Sequence, residues 1–357
     1  MTTIRSLQAQ ALDIELHTPF GIAGGAQDLA RNVLVTVELE DGTRGYGEAA
    51  PFPVFNGETQ QMVLSAVVAA RSLVEGADVR EWRRLALALR NSIGPVGSAQ
   101  CAIETALLDA LTRQAGMPLW AFFGGVSTSL ETDMTVTTGS VEQARADARA
   151  ILARGISMIK IKIGSGDLEL DLARVIAIGQ EAPQSALILD GNCGYTADAA
   201  LCLLALLHER GIKPALLEQP LAKDDLAGMA QVLQWGAVPV AADESAARAY
   251  DVVQLASARA AHVINIKLMK AGIVEALDIA AAARAAGMGL MIGGMVESIL
   301  AMTVSACFAA GQGGFSFVDL DTPLFMAHNP FEGGMCYQGS RIDLSQIQAG
   351  HGVSPRL

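Results

Sequence analysis

The sequence predicts an α/β fold in which a (β/α) barrel follows a smaller α+β domain. In the first third of the chain, strand-like runs are followed by helical stretches. From about residue 131, short β-branched runs alternate with helices rich in Ala and Leu. The ends of successive runs lie 24 to 28 residues apart. That spacing accommodates one strand, one crossover helix and two loops, which is typical of a barrel.

The N-terminal α+β domain begins with strands. Residues 4–16 and 32–40 are β-like, and Asp41-Gly42 predicts a hairpin turn into a third strand at 43–48. Apolar residues at spacings of three and four predict three helices, at 59–74, 78–91 and 97–115. Two stretches rich in Gly and Pro are interpreted as loops, 19–27 and 51–57.

Eight strand-like runs make up the predicted barrel. They are 133–137, 158–163, 186–189, 215–217, 238–242, 263–266, 290–292 and 315–318. The tail beyond them is rich in Gly and turn residues, and we expect it to return to the first domain. The predicted division is therefore 1–125 for the α+β domain, 126–321 for the barrel and 322–357 for the tail.

The composition excludes a polyanion binder. The chain has 25 Lys and Arg against 37 Asp and Glu, a net charge of −12, with no basic run that could face nucleic acid or an anionic membrane. No apolar stretch reaches the roughly 18 residues of a membrane helix. The sequence start lacks a secretory pattern, and the five cysteines are scattered. We expect a cytoplasmic protein with free thiols and a small-molecule substrate.

Three carboxylates follow three consecutive predicted strands: Asp190, Glu218 and Asp243. The carboxyl ends of barrel strands form the active-site face, so these side chains are expected to converge. Ligands that are all oxygen select a hard cation, which favours Mg²⁺. The alternative is that acidic residues simply begin loops, and Asp190-Gly191-Asn192 is a plausible turn. Three carboxylates in register favour the metal site.

The lysines are unusually placed. The chain has six lysines against 19 arginines, and four of the six lie in Lys160-Ile161-Lys162 and Lys267-Leu268-Met269-Lys270. A desolvated ammonium can lose its proton and a guanidinium cannot, so these lysines are interpreted as acids and bases. Residues 160 and 162 of one strand point the same way, and Lys267 is expected to face Lys162 across the metal. The alternative is lysines that merely extend to solvent at strand ends.

Two bases on opposite sides of a metal-bound carboxylate favour one reaction. One lysine removes the α-proton, the cation neutralises the enediolate that forms, and the other lysine returns a proton to the opposite face. The carbon is inverted. This role leads us to expect lysine pKa values lowered toward neutrality by the cation and the sister lysine.

Over essentially its whole length the chain resembles the enolase superfamily, in its muconate-lactonising subgroup, and is most similar to the dipeptide epimerases. The stretches that carry the resemblance are Lys160-Ile161-Lys162, Asp190-Gly191-Asn192, Glu218-Gln219-Pro220, Asp243-Glu244-Ser245 and Asn265-Ile266-Lys267. The resemblance implies a modified (β/α)₇β barrel of the TIM type with an N-terminal capping domain that the C-terminal tail completes. It also leaves open a homo-oligomer.

The resemblance implies a role for each motif residue. One Mg²⁺ would be bound by Asp190, Glu218 and Asp243, with Lys162 and Lys267 as the acid/base pair. The supporting residues would be Lys160, Asn192 and Glu244. The mandelate-racemase branch uses a His base, and no histidine follows a barrel strand in the active-site motifs.

Asp319-Leu320-Asp321 at the eighth strand resembles the pair on which dipeptide epimerases place the substrate α-ammonium. Read alone, the motif is equally an ordinary loop. Further substrate-binding residues implied by the resemblance are Thr135, Glu297, Ser298, Ile299, Phe20 and Gly25.

The expected activity is inversion of the C-terminal residue of an L,L-dipeptide. Epimerases acting on Ala-Glu carry an Arg in the loop that corresponds to 19–27, and this sequence has no cation there. Ile299 stands where such enzymes can have Lys, so a glutamyl side chain would be buried unpaired, which is costly. Apolar residues near the loop instead favour a hydrophobic second residue, while Asp28 leaves a cationic one open; the apolar residues are Phe20, Ile22, Phe52 and Phe55.

Other functions remain open at this point. A muconate-type cycloisomerase or an o-succinylbenzoate synthase would use the same metal and lysines, but Asp319 and Asp321 would repel a dianionic substrate. A Schiff-base aldolase using Lys162 leaves the three carboxylates unexplained. A non-catalytic peptide-binding barrel would not need the lysine pair.

Overall fold

The computed structural model describes residues 1–22 and 25–356, with the side chain of Ile22 outside the described part. The N-terminal domain is an antiparallel sheet in the order β1-β2-β3 covered by helices, as predicted. Its strands are β1 (Ile4–Ile22), β2 (Gly25–Leu39) and β3 (Arg44–Ala49). Its helices are α1 (Pro53–Asn56), α2 (Gln60–Val74), α3 (Trp82–Ser92) and α4 (Gly97–Gln114).

The interpretation of 19–27 as a loop is wrong for its described residues. Phe20, Gly21 and Ile22 continue β1 and pair with β2, after a register irregularity between Glu15 and Phe20. Antiparallel pairing satisfies the backbone groups of this arm, so the Gly-rich sequence is held extended. The arm reaches the barrel, where the Phe20 ring meets Phe325 edge-on with ring centroids 5.5 Å apart.

Helix α4 is almost entirely buried between the sheet and the barrel. Two glycines of β3 make this close approach feasible. A Cβ at Gly45 would lie 2.2 Å from the Ala106 carbonyl oxygen, and one at Gly47 would lie 2.0 Å from that of Ala102. Only glycine fits where a strand backbone and a helix backbone touch.

All eight predicted barrel strands are present, and each pairs in parallel with its neighbour in chain order. They are β5 (Met134–Val136), β6 (Met158–Lys162), β7 (Ala186–Asp190), β8 (Leu216–Glu218), β9 (Val240–Ala242), β10 (Val263–Ile266), β11 (Gly289–Ile292) and β12 (Phe315–Val318), while β4 (Ser129–Glu131) precedes them outside the barrel. The backbone N–H of Asp133 donates to Val318 O at 3.0 Å and so joins the two edge strands. The curled sheet is the predicted barrel.

Helices separate the barrel strands along the chain. They are α6 (Val141–Ala153), α7 (Leu168–Glu181), α8 (Ala197–Glu209), α9 (Leu226–Gln234), α10 (Ala249–Ala258), α11 (Ile273–Ala285) and α12 (Ile299–Gln312), while the short α5 (Leu119–Phe122) precedes the barrel. Several begin at a residue whose side chain accepts a backbone N–H of the first turn, as at Ser140, Asp167 and Thr196. None of the described helices has the length and apolar character needed to cross a membrane.

The tail contacts the N-terminal domain. It forms β13 (Phe331–Gly333), β14 (Cys336–Gln338), β15 (Arg341–Asp343) and β16 (Val353–Pro355). Beyond β15, the fully buried His351 lies with Nε2 3.1 Å from Asp109 Oδ2 on α4 and 2.9 Å from the carbonyl oxygen of Tyr46 on β3. These contacts attach the chain's last segment to both the sheet and the helix of the first domain.

Candidate active site

The three predicted metal carboxylates lie at the carboxyl ends of three adjacent strands. Asp190 ends β7 and is paired in register with Glu218, which ends β8, while Asp243 directly follows β9. All three side chains are fully buried. The structure therefore brings together the carboxylates that the sequence predicts.

These carboxylates fit a hard cation. Glu218 Oε2 and Asp243 Oδ2 are buried and accept no hydrogen bond from the described residues. Each lies beside an ammonium instead, Glu218 Oε2 at 2.8 Å from Lys160 Nζ and Asp243 Oδ2 at 2.8 Å from Lys267 Nζ. A donor set made only of carboxylate oxygens is the set that Mg²⁺ prefers.

Neighbouring amides hold these carboxylates in place. Asn265 Nδ2 donates to Glu218 Oε1 at 2.7 Å, and the backbone N–H of Asp243 donates to Gln219 Oε1 at 2.9 Å. Gln219 and the residues Asn192 and Cys193 have left-handed backbones, with φ of 34°, 39° and 65°. Strained residues of this kind are retained where a loop must present side chains in a fixed way. The sequence gives no signal for this conformation at non-glycine positions.

The two predicted acid/base lysines line one cavity from opposite sides of the carboxylates. Lys162 Nζ on β6 lies 2.7 Å from Asp190 Oδ2, while Lys267 follows β10 and contacts Asp243. Their exposed fractions are 5% and 6%, so both are shielded from water. The Lys267 ammonium also lies 4.9 Å from the centroid of the Phe55 ring.

The expected lowering of the Lys267 pKa is not what the protein's own residues produce. Burial lowers the pKa of Lys267, but the carboxylates of Asp243, Glu218 and Glu244 together outweigh it, and the net pKa is raised. The predicted lowering of the lysine pKa values depended partly on the positive charge of a bound cation. The protein's own residues do not supply that charge.

The other two lysines of the sequence motifs, Lys160 and Lys270, bind neighbouring carboxylates and backbone carbonyls. Lys160 is fully buried, with Nζ 3.0 Å from Asp190 Oδ2 and 2.7 Å from Asp319 Oδ2. Burial lowers its pKa, but the surrounding carboxylates raise the pKa well above the ordinary value. Lys270 donates to the backbone carbonyls of Asp243 and Asn265 at 2.7 and 2.8 Å. Burial lowers the pKa of Lys270, in contrast to that of Lys160. Both lysines are structural partners of the surrounding oxygens.

Asp319 and Asp321 lie at the mouth together with Asp133, which the sequence analysis missed. Carboxylate oxygens of the three residues all lie within 4.8 Å of one another. The backbone N–H of Thr135 donates to Asp321 Oδ2 at 2.6 Å. Burial and the charge of Asp319 raise the pKa of Asp321 to about 7. Asp133 precedes Thr135 by two residues on an extended segment, so both side chains are expected on the same face. That spacing is the signal in the sequence that could have identified Asp133.

Aromatic side chains form one wall of the cavity between the lysines. The rings of Phe20, Phe52 and Phe55 form this phenylalanine wall. The rest of the lining is Lys162, Asn192, Lys267, Gly294, Met295, Asp319 and Thr322. Apart from the two lysines, the lining drawn from the described residues contains no cation. The wall is therefore suited to an apolar group.

Four other predicted substrate-binding residues are outside the described lining of this cavity. Glu297 is buried and accepts from the Met295 N–H at 2.7 Å, and burial raises its pKa to about 8. Ser298 is the N-cap of α12, and its backbone N–H donates to Glu48 Oε1 at 3.0 Å. Ile299 is the first residue of that helix and is buried. Gly25 is the exposed first residue of β2.

Comparisons with known proteins agree with this architecture. Residues 5–124 match the N-terminal domain model of mandelate racemase / muconate lactonizing enzyme, and residues 143–356 match the enolase C-terminal domain-like model. An aromatic dipeptide epimerase from Herpetosiphon aurantiacus is 54% identical over 353 residues, which cover 99% of both chains.

Two solved structures extend the comparison. A mandelate racemase/muconate lactonizing enzyme from Roseiflexus sp. is 66% identical with a TM-score of 0.95, covering 100% of this chain and 99% of its own. A dipeptide epimerase from Enterococcus faecalis V583, complexed with Mg and the dipeptide L-Leu-L-Tyr, is 31% identical with a TM-score of 0.94 and 99% coverage of both chains. The chain belongs to the enolase superfamily, in the mandelate racemase/muconate lactonizing enzyme family, and is an isomerase related to the dipeptide epimerases.

Proposed function

We propose that the protein is a Mg²⁺-dependent dipeptide epimerase that inverts the α-carbon of the C-terminal residue by proton transfer between two lysines. The observation that carries the proposal is the placement of Lys162 and Lys267. They line the same cavity from β6 and from the end of β10, with the carboxylate-bearing ends of β7, β8 and β9 between them. A substrate held there has one lysine amino group on each face.

Asp190, Glu218 and Asp243 would hold the cation. When bound, Mg²⁺ supplies the positive charge that stabilises negative charge developing on the substrate carboxylate. The dipeptide epimerase structure that contains Mg and a dipeptide supports this assignment. The three residues lie between the two lysines, which is where the reacting carbon must be placed for transfer on both faces.

The second carboxylate cluster, Asp133, Asp319 and Asp321, suits the other end of the substrate. It lies at the seam between β5 and β12, away from Asp243, and Asp321 already accepts the Thr135 N–H. Burial and the charge of Asp319 raise the pKa of Asp133. A primary ammonium can donate to several such oxygens, which places the dipeptide N-terminus here.

The chain's own residues move the protons. One lysine, as the neutral amine, accepts the α-proton as the C–H bond breaks, and the other, as the ammonium, donates a proton to the opposite face as the new C–H bond forms. The cavity shields both lysine amino groups, and the phenylalanine wall excludes water that would compete for the proton. Asp319, the one carboxylate among the described lining residues, is paired with Lys160 at 2.7 Å.

The phenylalanine wall supports a hydrophobic, and in particular an aromatic, second residue. Apart from the catalytic lysines, no cation among the described lining residues is available to pair a glutamyl side chain. The similarity to an aromatic dipeptide epimerase from Herpetosiphon aurantiacus supports the same preference. Edge and face contacts between rings contribute about 0.5–1.5 kcal/mol beyond the burial of area.

Chiral chromatography tests the proposal. The protein with Mg²⁺ is incubated with L-Ala-L-Phe or with L-Ala-L-Glu, and the L,D product is quantified. We expect formation of L-Ala-D-Phe at a much higher kcat/KM than that of L-Ala-D-Glu. Inversion of neither dipeptide, by protein that binds Mg²⁺, would refute the proposed activity, and a preference for L-Ala-L-Glu would refute the proposed specificity.

A further inference from the structure

A second, larger cavity of about 960 Å³ lies between the N-terminal domain and the barrel mouth. It shares two lining residues with the cavity between the lysines, Phe55 and Asn192, so the two spaces adjoin. The space beside the lysines is therefore continuous with room for further substrate atoms. Its volume is at the upper end of the range for small-molecule sites.

The position of this cavity fixes which end of a substrate it adjoins. The barrel residues that line it follow β7, β8, β9 and β10, for example Cys193, Lys223, Ala247 and Lys270. Those are the strands that carry the metal carboxylates. The strands near Asp319 and Asp321, β5, β6, β11 and β12, contribute no described residue to its lining. The cavity therefore lies beyond the carboxyl end of a bound peptide, on the side away from its N-terminus.

The lining offers polar groups that need partners. Four buried atoms in it form no hydrogen bond with any described residue: Asn192 Oδ1, Glu244 Oε2, Gln100 Oε1 and Arg90 Nη2. Gln100 is 4% exposed, and all four atoms are shielded from water. Buried polar atoms are normally paired, and the acceptors among these suit peptide N–H groups.

The charges in the lining favour an anionic end group. Arg90 pairs with Glu275 at 2.5 Å, and the carboxylate of Glu58 accepts from the N–H of Gly97 at 2.7 Å. Lys223 and Arg248 are exposed at the rim and form no ion pair within residues 1–22 and 25–356. Two unpaired cations at the far side of a peptide-sized space are suited to a terminal carboxylate.

We infer that the enzyme also accepts peptides extended by one residue at the carboxyl end, with the third residue in this cavity and its carboxylate near Lys223 and Arg248. The inference rests on the proposed function. The chemistry is unchanged: the α C–H bond of the central residue breaks, its proton goes to one lysine, and the other lysine supplies the proton of the new C–H bond. The carbonyl oxygen of a peptide bond takes the place of one carboxylate oxygen, so no further reactant is needed.

Deuterium exchange and binding test the inference together. L-Ala-L-Phe, L-Ala-L-Phe-L-Ala and the carboxamide of that tripeptide are incubated with the protein and Mg²⁺ in D₂O, and fragment masses locate the label. We expect label at the Phe α-carbon of both the dipeptide and the tripeptide acid. The double variant Lys223→Glu/Arg248→Glu should lower kcat/KM, and binding measured by calorimetry, about 10-fold for the tripeptide acid alone. The exposed Lys213→Glu, remote from this cavity, is the matched control.

The outcomes separate the two claims. Label in the dipeptide but not in either tripeptide overturns the inference and leaves the proposed function standing. Label in none of the three refutes the proposed function itself. Equal losses for the tripeptide acid and its carboxamide in the double variant would overturn the assignment of Lys223 and Arg248 to the terminal carboxylate.

Discussion

The guanidinium of Arg174 donates a hydrogen bond of 2.7 Å to the backbone carbonyl of Lys162, one of the two acid/base lysines. Arg174 lies on α7 with an exposed fraction of 1% and is 3.5 Å from Asp171. Asp171 in turn accepts from the Tyr195 hydroxyl at 2.5 Å. A buried charged pair thus fixes the end of the strand that presents Lys162.

Arg174→Met should destabilise the fold and slow epimerisation. The change leaves Asp171 as a buried carboxylate without its cation, which costs about 3–5 kcal/mol. Urea denaturation measures the loss, and chiral chromatography measures the rate. Arg145→Met is the matched control, because Arg145 pairs with Glu181 on the half-exposed outside of the barrel. Equal stability of the two variants would show that the buried pair does not brace β6.

Metal binding should distinguish the two carboxylate clusters. Glu218→Gln removes one of three charged oxygens proposed to bind Mg²⁺, and we expect the Kd, measured by calorimetry, to rise at least 10-fold. Asp133→Asn, in the cluster proposed for the ammonium, should leave the Kd for Mg²⁺ within about twofold and raise the KM for the dipeptide. The reverse pattern would place the metal at Asp133, Asp319 and Asp321.

The phenylalanine wall should determine which side chain the enzyme prefers at the second residue of the dipeptide. Phe20→Ala removes a ring that lines the cavity and packs against Phe325. We expect kcat/KM for L-Ala-L-Phe to fall about 10-fold, since a lost aromatic contact and its buried area together exceed 1 kcal/mol. The kcat/KM for L-Ala-L-Ala should change little, and Phe20→Leu should retain an intermediate value. A uniform loss on both dipeptides would argue against a role in specificity.

Glu104 should make stability depend on pH. Burial on α4 raises its pKa to about 7, although Gln100 and the Val274 N–H donate to it. Since the folded pKa exceeds the ordinary value of 4.5, this contribution is fully present below pH 4.5 and is lost as pH rises through about 7. The loss approaches about 3 kcal/mol.

Glu104→Gln removes the titrating group, so the fall in unfolding free energy between pH 5 and pH 8.5 should be smaller in this variant than in the unmodified protein. Urea denaturation at both pH values measures the difference. The exposed Glu142→Gln serves as the control and should keep the original slope. An unchanged slope in Glu104→Gln would assign the pH dependence to other buried carboxyls.

Much of the fold could be predicted because β-branched runs and helical periodicity recur with one spacing. The carboxylates Asp190, Glu218 and Asp243 could be predicted because each directly follows or ends a strand. Asp133 was missed because it directly precedes β5, whose partner across the seam, β12, is distant in sequence. The extended arm of β1 was missed because a Gly-rich sequence favours turns, and pairing with β2 overrides that preference.

The contacts that fix the lysines could not be predicted either. The donation from Arg174 to the Lys162 carbonyl depends on how α7 packs over β6, and the left-handed backbone of Asn192 depends on the neighbouring loop. Such details arise from tertiary packing, to which local sequence patterns are insensitive.

The α-proton of the second residue is proposed to pass between two lysines. The most direct test of this transfer is incubation of the protein and Mg²⁺ with pooled L,L-dipeptides in D₂O, followed by mass spectrometry. We predict a gain of one deuterium in dipeptides with a hydrophobic second residue, and no inverted product from Lys162→Ala or Lys267→Ala, although both variants still bind Mg²⁺. No gain in any dipeptide, or full turnover by either lysine variant, would contradict this mechanism.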